Sequence, residues 1–210
     1  YFFYSGAYVD DILNVLNPGE KTIIHIPSVN SRESTKDKHR EVDTILDAIG
    51  DISHVDAETG IIHVRRHTDG KLLKVADLVN DNPRDRDRIA AYLREMKDVD
   101  DMDLIIALGM AKEGFDWFWC EHALTIGYRS SLTEIVQIIG RATRDAKGKE
   151  RSRFTNLIAE PTAEQSAVAE AVNDMLKAMP LAQADAIRIE EAASVQGPYL
   201  LLAGIVLVVA

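Results

Sequence analysis

Residues 103–127 read DLIIALGMAKEGFDWFWCEHALTIG, in which two continuous apolar runs, at 103–108 and 123–127, flank a polar connection. Three further runs have the same character: TIIHIP at 22–27, GIIHV at 60–64 and FTNLIA at 154–159. Short runs that are apolar without alternation indicate strands covered on both faces by helices. The sequence therefore predicts a buried, parallel sheet.

Most of the segments between these strands have the apolar periodicity of a helix. The predicted helices are residues 31–49 with Ser31 as N-cap, 84–96, 132–143 and 162–179. Alternating strands and helices predict an α/β fold, a doubly wound parallel sheet flanked by helices, with a C-terminal helical extension. We expect one domain over residues 1–160, and a helical extension over 161–210 that ends in an apolar segment and leads to a further region.

Bulk composition is that of an ordinary globular protein, with 46% hydrophobic and 28% charged residues among 210. The single Cys120 excludes an intramolecular disulfide and favours a reducing, cytoplasmic setting. As a lone cysteine, Cys120 is expected to be a small buried side chain rather than a nucleophile. The histidines show no metal-ligand spacing, and no membrane association is predicted.

The net charge of −10 argues against a dedicated nucleic-acid-binding protein, but the basic residues are clustered. One cluster holds six basic residues between Arg141 and Arg153, and another runs from Arg65 to Lys74. Such clusters either grip phosphate or form ordinary solvated faces. For the cluster around Arg65 the sequence leaves both interpretations open.

Residues 137–144 read QIIGRATR and carry the most informative pattern. Gln137, Arg141 and Arg144 are spaced i, i+4 and i+7, so a helix would project them from one face. Two guanidiniums on one face form an anion clamp suited to phosphate oxygens. Surface salt bridges are the alternative explanation for this spacing.

This Q-x-x-G-R-x-x-R pattern resembles motif VI of superfamily II helicases, in the second, RecA-like motor domain of DEAD/DEAH-like proteins. The resemblance implies an arginine finger at Arg144, a second phosphate contact or an interdomain contact at Arg141 and a polar organiser at Gln137, all catalytic. Ile138 stands where the family often has arginine. The likeness covers residues 20–160 and is closest to the helicase motors of bacterial restriction enzymes.

Two further segments resemble the family's motifs. Residues 111–116 (AKEGFD) are similar to motif V, which implies nucleotide contacts from Gly114 and Asp116 and a nucleic-acid contact from Lys112. Leu108 replaces a threonine that many members have. Residues 21–32 are similar to motif IV, although an ordinary helix cap would give the same pattern. The nucleic-acid contacts that motif IV implies are Ser28, Asn30, Ser31 and Arg32.

Neither a G-x-x-x-x-G-K-[ST] loop nor an acidic magnesium box occurs in the chain. In the family both belong to the first RecA-like domain, which holds ATP with Mg²⁺. We therefore expect this chain to be inactive alone and to act with an N-terminal RecA-like domain in cis, upstream of Tyr1.

The resemblance implies a motor domain of an ATP-dependent helicase or translocase that acts on DNA or RNA, with DNA favoured. A catalytically silent nucleic-acid-binding or scaffold module of the same fold is the alternative. A dinucleotide-binding domain is disfavoured, because no G-x-G-x-x-G turn follows the first strand. Trp117, Phe118 and Trp119 would either stack on bases or pack against the sheet.

Overall fold

A computed structural model describes residues 2–4, 8–17, 19–27, 34, 36–108, 117–127, 132–144, 146–159, 187–192 and 204–209. Within these ranges strands and helices are interspersed along the chain. The helix predicted at 162–179 lies outside the described residues, as do the segments 28–33 and 109–116.

The described strands form one sheet. Their bounds are β1 (Phe2–Tyr4), β2 (Thr22–Ile26), β3 (Gly50–Val55), β4 (Ile62–Arg66), β5 (Leu72–Asp77), β6 (Leu104–Leu108), β7 (His122–Ile126), β8 (Ser152–Ala159), β9 (Ile187–Ala192) and β10 (Gly204–Val209). They lie in the order β3-β4-β5-β6-β2-β7-β8-β10-β9, and β1 also pairs with β8. From β5 to β8 in this order all neighbours are parallel, which confirms the predicted class.

The centre of the sheet is buried on both faces. All residues of β2 and β7 are buried, as are the first four of β6. Side chains of a strand point alternately to the two faces, so Ile23 joins one hydrophobic core and Ile24 joins the other. The continuous apolar runs therefore predicted these three strands to within one residue at each end.

Among the described residues, two pairs of α-helices cover the two faces of the sheet. The helices are α1 (Tyr8–Val15), α2 (Lys38–Ile49), α3 (Pro83–Glu95) and α4 (Leu132–Ala142). α1 and α2 bury Ile12 and Ile45 in one core. α3 and α4 bury Leu93 and Ile138 in the other. The result is a helix–sheet–helix arrangement, in agreement with the RecA-like α/β fold.

The sequence does not predict β3 or β5, which extend the sheet as an antiparallel meander with β4. Short turns join these strands, and each turn contains a glycine with positive φ: Gly60 at 77° and Gly70 at 69°. Turns this short can connect only antiparallel neighbours. β3 is exposed from Asp51 onward, so it lacks the apolar run by which a buried strand is recognised.

β4 differs from its prediction as well. It covers Ile62–Arg66 instead of residues 60–64, and only Val64 and Arg66 are fully buried in it. The expectation that every apolar run is covered on both faces is therefore wrong for β4. Its position near the edge of the sheet, next to the exposed β3, explains the difference.

α2 begins at Lys38, seven residues later than predicted, so Ser31 is not its N-cap. Asp37 has that role: its side chain accepts hydrogen bonds from the backbone N–H groups of His39 and Arg40. Either residue type is a good N-cap. The apolar periodicity of α2 starts only at Val42, and the polar residues before it leave the start of the helix open.

The predicted C-terminal helical extension is wrong for Ile187–Ala192, which forms β9. Ile187 and Ile189 alternate with Arg188 and Glu190, and a period of two favours a strand over a helix. β10 follows at Gly204–Val209 and pairs antiparallel with both β9 and β8. Residues 161–186 and 193–203 of the extension lie outside the described part of the chain.

A buried polar network crosses the amino ends of β7 and β8. Arg153 donates to Glu20 at 2.6 Å and to Nδ1 of His122 at 3.2 Å. A guanidinium can only donate, so Nδ1 is the acceptor and Nε2 carries the proton that faces Oγ1 of Thr155 at 2.9 Å. The network therefore fixes one neutral tautomer of His122.

The His122 network makes stability depend on pH. Burial, and secondarily Arg153, hold the pKa of His122 well below its ordinary value of 6.5. The unfolded chain therefore binds a proton that the folded chain excludes, and the resulting stability, full above pH 6.5, is lost as the pH falls towards the folded pKa. We expect the free energy of unfolding to decrease by up to about 1.4 kcal/mol per pH unit in that window.

Urea denaturation between pH 8 and pH 5 measures this slope. In His122→Gln the slope should be smaller, although the variant is less stable at every pH. Arg94→Gln, at an exposed position in α3, keeps every histidine and should keep the slope of the unmodified chain. An unchanged slope in His122→Gln would contradict the assignment.

Candidate functional site

The apolar side of α4 packs against the sheet, opposite to the polar residues of the helix. Ile138, Ile139 and Ala142 are buried in the core that α3 and α4 share. Gln137 is exposed and Arg141 half-buried, one helical turn apart. Gln137 and Arg141 therefore lie on the side of the helix that faces away from the core.

Arg144 lies beyond the last helical residue rather than on the helix. α4 ends at Ala142, one residue before the predicted end, and the carbonyl of Ala142 accepts hydrogen bonds from the Lys149 ammonium and the Ser152 hydroxyl. Lys149 also donates to the carbonyl of Arg144 at 2.6 Å. These side chains satisfy carbonyls that a helix end leaves without helical partners, and so they fix the backbone that carries Arg144.

The arginine end of α4 lies at the amino ends of the neighbouring strands. Ser152, which contacts Ala142, is the first residue of β8. Phe118, whose carbonyl accepts a hydrogen bond from Lys149 at 3.4 Å, precedes the first residue of β7. The arginine end of α4 therefore lies away from the carboxyl ends of the strands, because a helix that follows a parallel strand runs back towards the start of that strand.

The three aromatic residues before β7 have different environments. Trp117 is 5% exposed and belongs to the hydrophobic core, and Trp119 packs against that core. Phe118 is 45% exposed, and the guanidinium carbon of Arg144 lies 5.9 Å from the centre of its ring. Packing against the sheet thus accounts for the two tryptophans, whereas Phe118 faces the arginine.

Gly140 lies on the exposed side of α4, next to Arg141. A Cβ placed on Gly140 would meet no atom within 4 Å among the described residues. Packing within the described part of the chain therefore gives no reason for a glycine here, where alanine would favour the helix by about 1 kcal/mol.

The remaining predicted site residues lie outside the described residues. Ser28, Asn30, Ser31 and Arg32 follow β2, whereas Lys112, Gly114 and Asp116 follow β6. β2 and β6 are adjacent parallel strands, and their last residues, Ile26 and Leu108, are register partners. Both segments therefore follow neighbouring positions at the carboxyl edge of the sheet, and the roles of these residues stay predictions.

Lys149, Arg151 and Arg153, which belong to the basic stretch between positions 141 and 153, contact groups inside the domain. Arg151 and Arg153 both donate to the Glu20 carboxylate, at 3.0 Å and 2.6 Å. Lys149 holds the end of α4. The basic stretch is therefore not one continuous phosphate-binding patch. No local sequence pattern could have revealed Glu20 as an acceptor, since it precedes Arg153 by 133 positions.

The second basic cluster is paired with acidic groups. Arg66 donates through Nε to Asp69 at 2.8 Å and forms a second bond with the same carboxylate, and Arg66 holds the pKa of Asp69 down to about 2. Lys74 donates to the carbonyl of Asp100 at 2.9 Å, and Lys71 lies 3.8 Å from Asp103. These contacts favour the structural interpretation of the cluster over phosphate binding.

A cavity of about 190 Å³ opens at the amino ends of β2 and β6, on the face covered by α1 and α2. Its wall is mostly apolar, with Leu13, Leu16 and Leu73 among the lining residues. Arg66 also lines it but is engaged with Asp69. α4 covers the other face of the sheet, so this cavity is separate from the predicted clamp.

Cys120 is buried at 1% exposure, and burial raises the pKa of its thiol to about 12. The protonated thiol is a poor nucleophile, in agreement with the predicted structural role. Across the part of the chain that the structure describes, no cluster of three or more His, Cys, Asp or Glu side chains could hold a metal ion. The helices in that part are all too short or too polar to cross a membrane.

No protein-family model matches the chain. A protein of Bacillus subtilis (strain 168) named "Putative ATP-dependent helicase YeeB" is 60% identical to it over 179 residues. The likeness supports a helicase family. The match covers 85% of this chain but 30% of the relative's length, so the chain spans less than a third of the protein it resembles.

Removal of the Lys149 ammonium tests how the end of α4 is held. In Lys149→Met the carbonyls of Ala142 and Arg144 lose a charged donor, and we expect the free energy of unfolding to fall by about 1–3 kcal/mol. Urea denaturation measures the change. Lys147→Met removes the same group from an exposed position two residues away and should change stability by less than about 0.5 kcal/mol. Equal losses in the two variants would contradict the role of Lys149.

Proposed function

We propose that this chain is the second motor domain of a superfamily II, ATP-dependent nucleic-acid helicase or translocase. In this proposal Arg141 and Arg144 reach ATP that a preceding RecA-like domain binds. The observation that carries the proposal is α4, which buries Ile138, Ile139 and Ala142 in the core, has the exposed Gln137 and the half-buried Arg141 away from it, and ends at a fixed position. The name of the 60% identical relative supports the use of ATP.

Fixed geometry is what such a clamp requires. Charge develops on the phosphoryl oxygens in the transition state, and donors that are already in place stabilise it without reorganisation. Burial of Ile138, Ile139 and Ala142 holds the helix, while Lys149 and Ser152 hold its end. Arg141 and Arg144 thus project from a backbone that is secured on two sides.

The fit to a nucleotide follows from the chemistry of these donors. Guanidiniums match phosphate oxygens, and Arg144 would contact the γ-phosphoryl group with Arg141 as a second phosphate contact. Gln137 would order polar groups nearby, and Gly114 and Asp116 would meet the ribose side of the nucleotide. Mg²⁺, which neutralises phosphate charge when bound, would be held by the preceding domain.

Gly140 supports the same proposal. An exposed helical glycine with no described neighbour around its Cβ position has no packing role within the described part of the chain. A nucleotide or a second domain that approaches the backbone beside Arg141 would supply one, because only glycine leaves that side of the helix without a side chain.

Nucleic-acid backbone contacts are proposed at the carboxyl ends of the strands, opposite to the ends at which Arg141 and Arg144 lie. Ser28, Asn30, Ser31 and Arg32 follow β2, and Lys112 follows β6, its neighbour. Adjacent parallel strands end on the same side of the sheet, and the hydroxyl, amide and cationic groups that follow them in the sequence would grip phosphates there. We propose DNA rather than RNA as the polymer. We also propose that the chain is related to the helicase motors of bacterial restriction enzymes.

The ATPase of the full-length protein tests the arginine finger. In Arg144→Ala we expect the turnover number to fall by about 10³–10⁵, the usual contribution of such a group, with the domain still folded. Arg94→Ala, which removes an exposed guanidinium in the last turn of α3, is the matched control and should turn over at close to the unmodified rate. Near-normal turnover by Arg144→Ala would rule out the finger and favour a silent binding or scaffold module.

The salt dependence of nucleic-acid binding tests the proposed phosphate contacts of Arg32 and Lys112. Each phosphate contact releases counterions, so Arg32→Ala and Lys112→Ala should each reduce the slope of log affinity against log salt by about one. Lys97→Ala, at an exposed position after α3, should leave the slope unchanged. The measurement uses the full-length protein with single-stranded and duplex DNA and RNA. Unaltered slopes in both site variants would remove these residues from the interface.

A further inference from the structure

Phe118 is the exposed member of three consecutive aromatic residues, and its ring faces Arg144. Its side chain is 45% exposed, whereas Trp117 is 5% exposed and part of the core. The guanidinium carbon of Arg144 lies 5.9 Å from the ring centre, within the range of about 6 Å over which a ring attracts a cation. The exposed aromatic surface is thus beside the residue to which the proposed function gives the finger role.

The backbones of these two residues are linked through one ammonium group. Lys149 donates to the carbonyl of Phe118 at 3.4 Å and to the carbonyl of Arg144 at 2.6 Å. It also donates to Ala142, the last residue of α4. The ring and the guanidinium therefore extend from backbone positions that a common donor holds together.

A nearby aromatic ring restricts where a long, flexible side chain can go. Arginine loses considerable rotamer entropy when its guanidinium is fixed against a phosphate. A ring that already favours one location of the guanidinium reduces the entropy that is lost on phosphate binding. The attraction between the ring and the cation therefore favours one location of the guanidinium beside Phe118.

We propose that Phe118 is a positioning residue for Arg144: its ring holds the guanidinium where it can meet the transferred phosphoryl group. This inference rests on the proposed function of Arg144. Phe118 acts through the arginine and touches neither the phosphate nor the attacking water. A base of the nucleotide or of nucleic acid stacked on Phe118 is the competing role, and the two roles differ in which kinetic constant they affect.

The experiment measures steady-state ATP turnover of the full-length protein with Phe118→Leu and Phe118→Tyr. We expect kcat of Phe118→Leu to fall by about two- to fivefold, the rate equivalent of one exposed cation–π contact, with KM for ATP unchanged. Phe118→Tyr keeps the ring and should restore kcat. Ile52→Ala, which truncates another large apolar side chain that is 50% exposed, is the matched control and should leave both constants unchanged.

A double variant shows whether Phe118 acts through Arg144. In an Arg144→Ala background, single-turnover hydrolysis should be equally slow with phenylalanine or leucine at position 118, because the group to be positioned is absent. Multiplicative effects of the two substitutions would overturn the proposal, and so would a raised KM with unchanged kcat in Phe118→Leu. If Phe118→Leu lowers the yield of folded protein, Phe118→Met fills the site without a ring and gives the same test.

The outcomes separate this inference from the proposed function. Normal turnover by Arg144→Ala removes the finger itself, whatever Phe118 does. A large loss in Arg144→Ala together with unchanged kcat in Phe118→Leu keeps the finger and overturns the positioning role of Phe118.

Discussion

Burial of both faces of β6, β2 and β7 is the constraint on which the rest of the structure depends. These strands are apolar without alternation, so water is excluded only if helices cover the sheet on both sides. The chain must then return from the end of each parallel strand to the start of the next. The segments after β2 and β6 therefore start at one edge of the sheet, and the end of α4 comes to lie at the other.

This constraint also explains how α4 is presented. A helix that covers a buried sheet must give its apolar side to the core, and Ile138, Ile139 and Ala142 fill that side. The exposed Gln137 and the half-buried Arg141 therefore lie on the side of the helix away from the core. Lys149 and Ser152 then end the helix at Ala142, so the position of Arg144 depends on tertiary contacts that helical periodicity does not contain.

The parts of the fold that could be predicted are those whose local pattern has one physical explanation. Continuous apolar runs gave β2, β6 and β7 closely, and the i, i+4 spacing placed Gln137 and Arg141 on one side of a helix. β3 could not be recognised, because an exposed edge strand buries too little to require apolar residues. The start of α2 was ambiguous, since serine and aspartate cap helices equally well.

The charged residues show a different limit. Arg153 and Glu20 are 133 positions apart, and their ion pair exists only because the fold joins the start of β8 to the loop before β2. The same holds for Lys149, whose partners include the carbonyl of Phe118. Counting basic residues along the sequence therefore overestimates the phosphate-binding surface. Which cations serve the structure and which face solvent is decided by tertiary packing.

Under the proposed function, Arg141 and Arg144 at the amino ends of the strands would contact the nucleotide, whereas Arg32 and Lys112, which follow the carboxyl ends of β2 and β6, would contact nucleic acid. Strands of five residues at about 3.3 Å each separate those ends by about 17 Å, and hydrogen-bonded ladders join β6, β2 and β7 along that distance. A packed core of this kind resists compression. A movement imposed at the arginine end of α4 by a nucleotide would therefore reach the segments after β2 and β6 as rotation of the whole domain. In such a motor the sheet would connect the two sites as a rigid body, and the hinge would lie outside it.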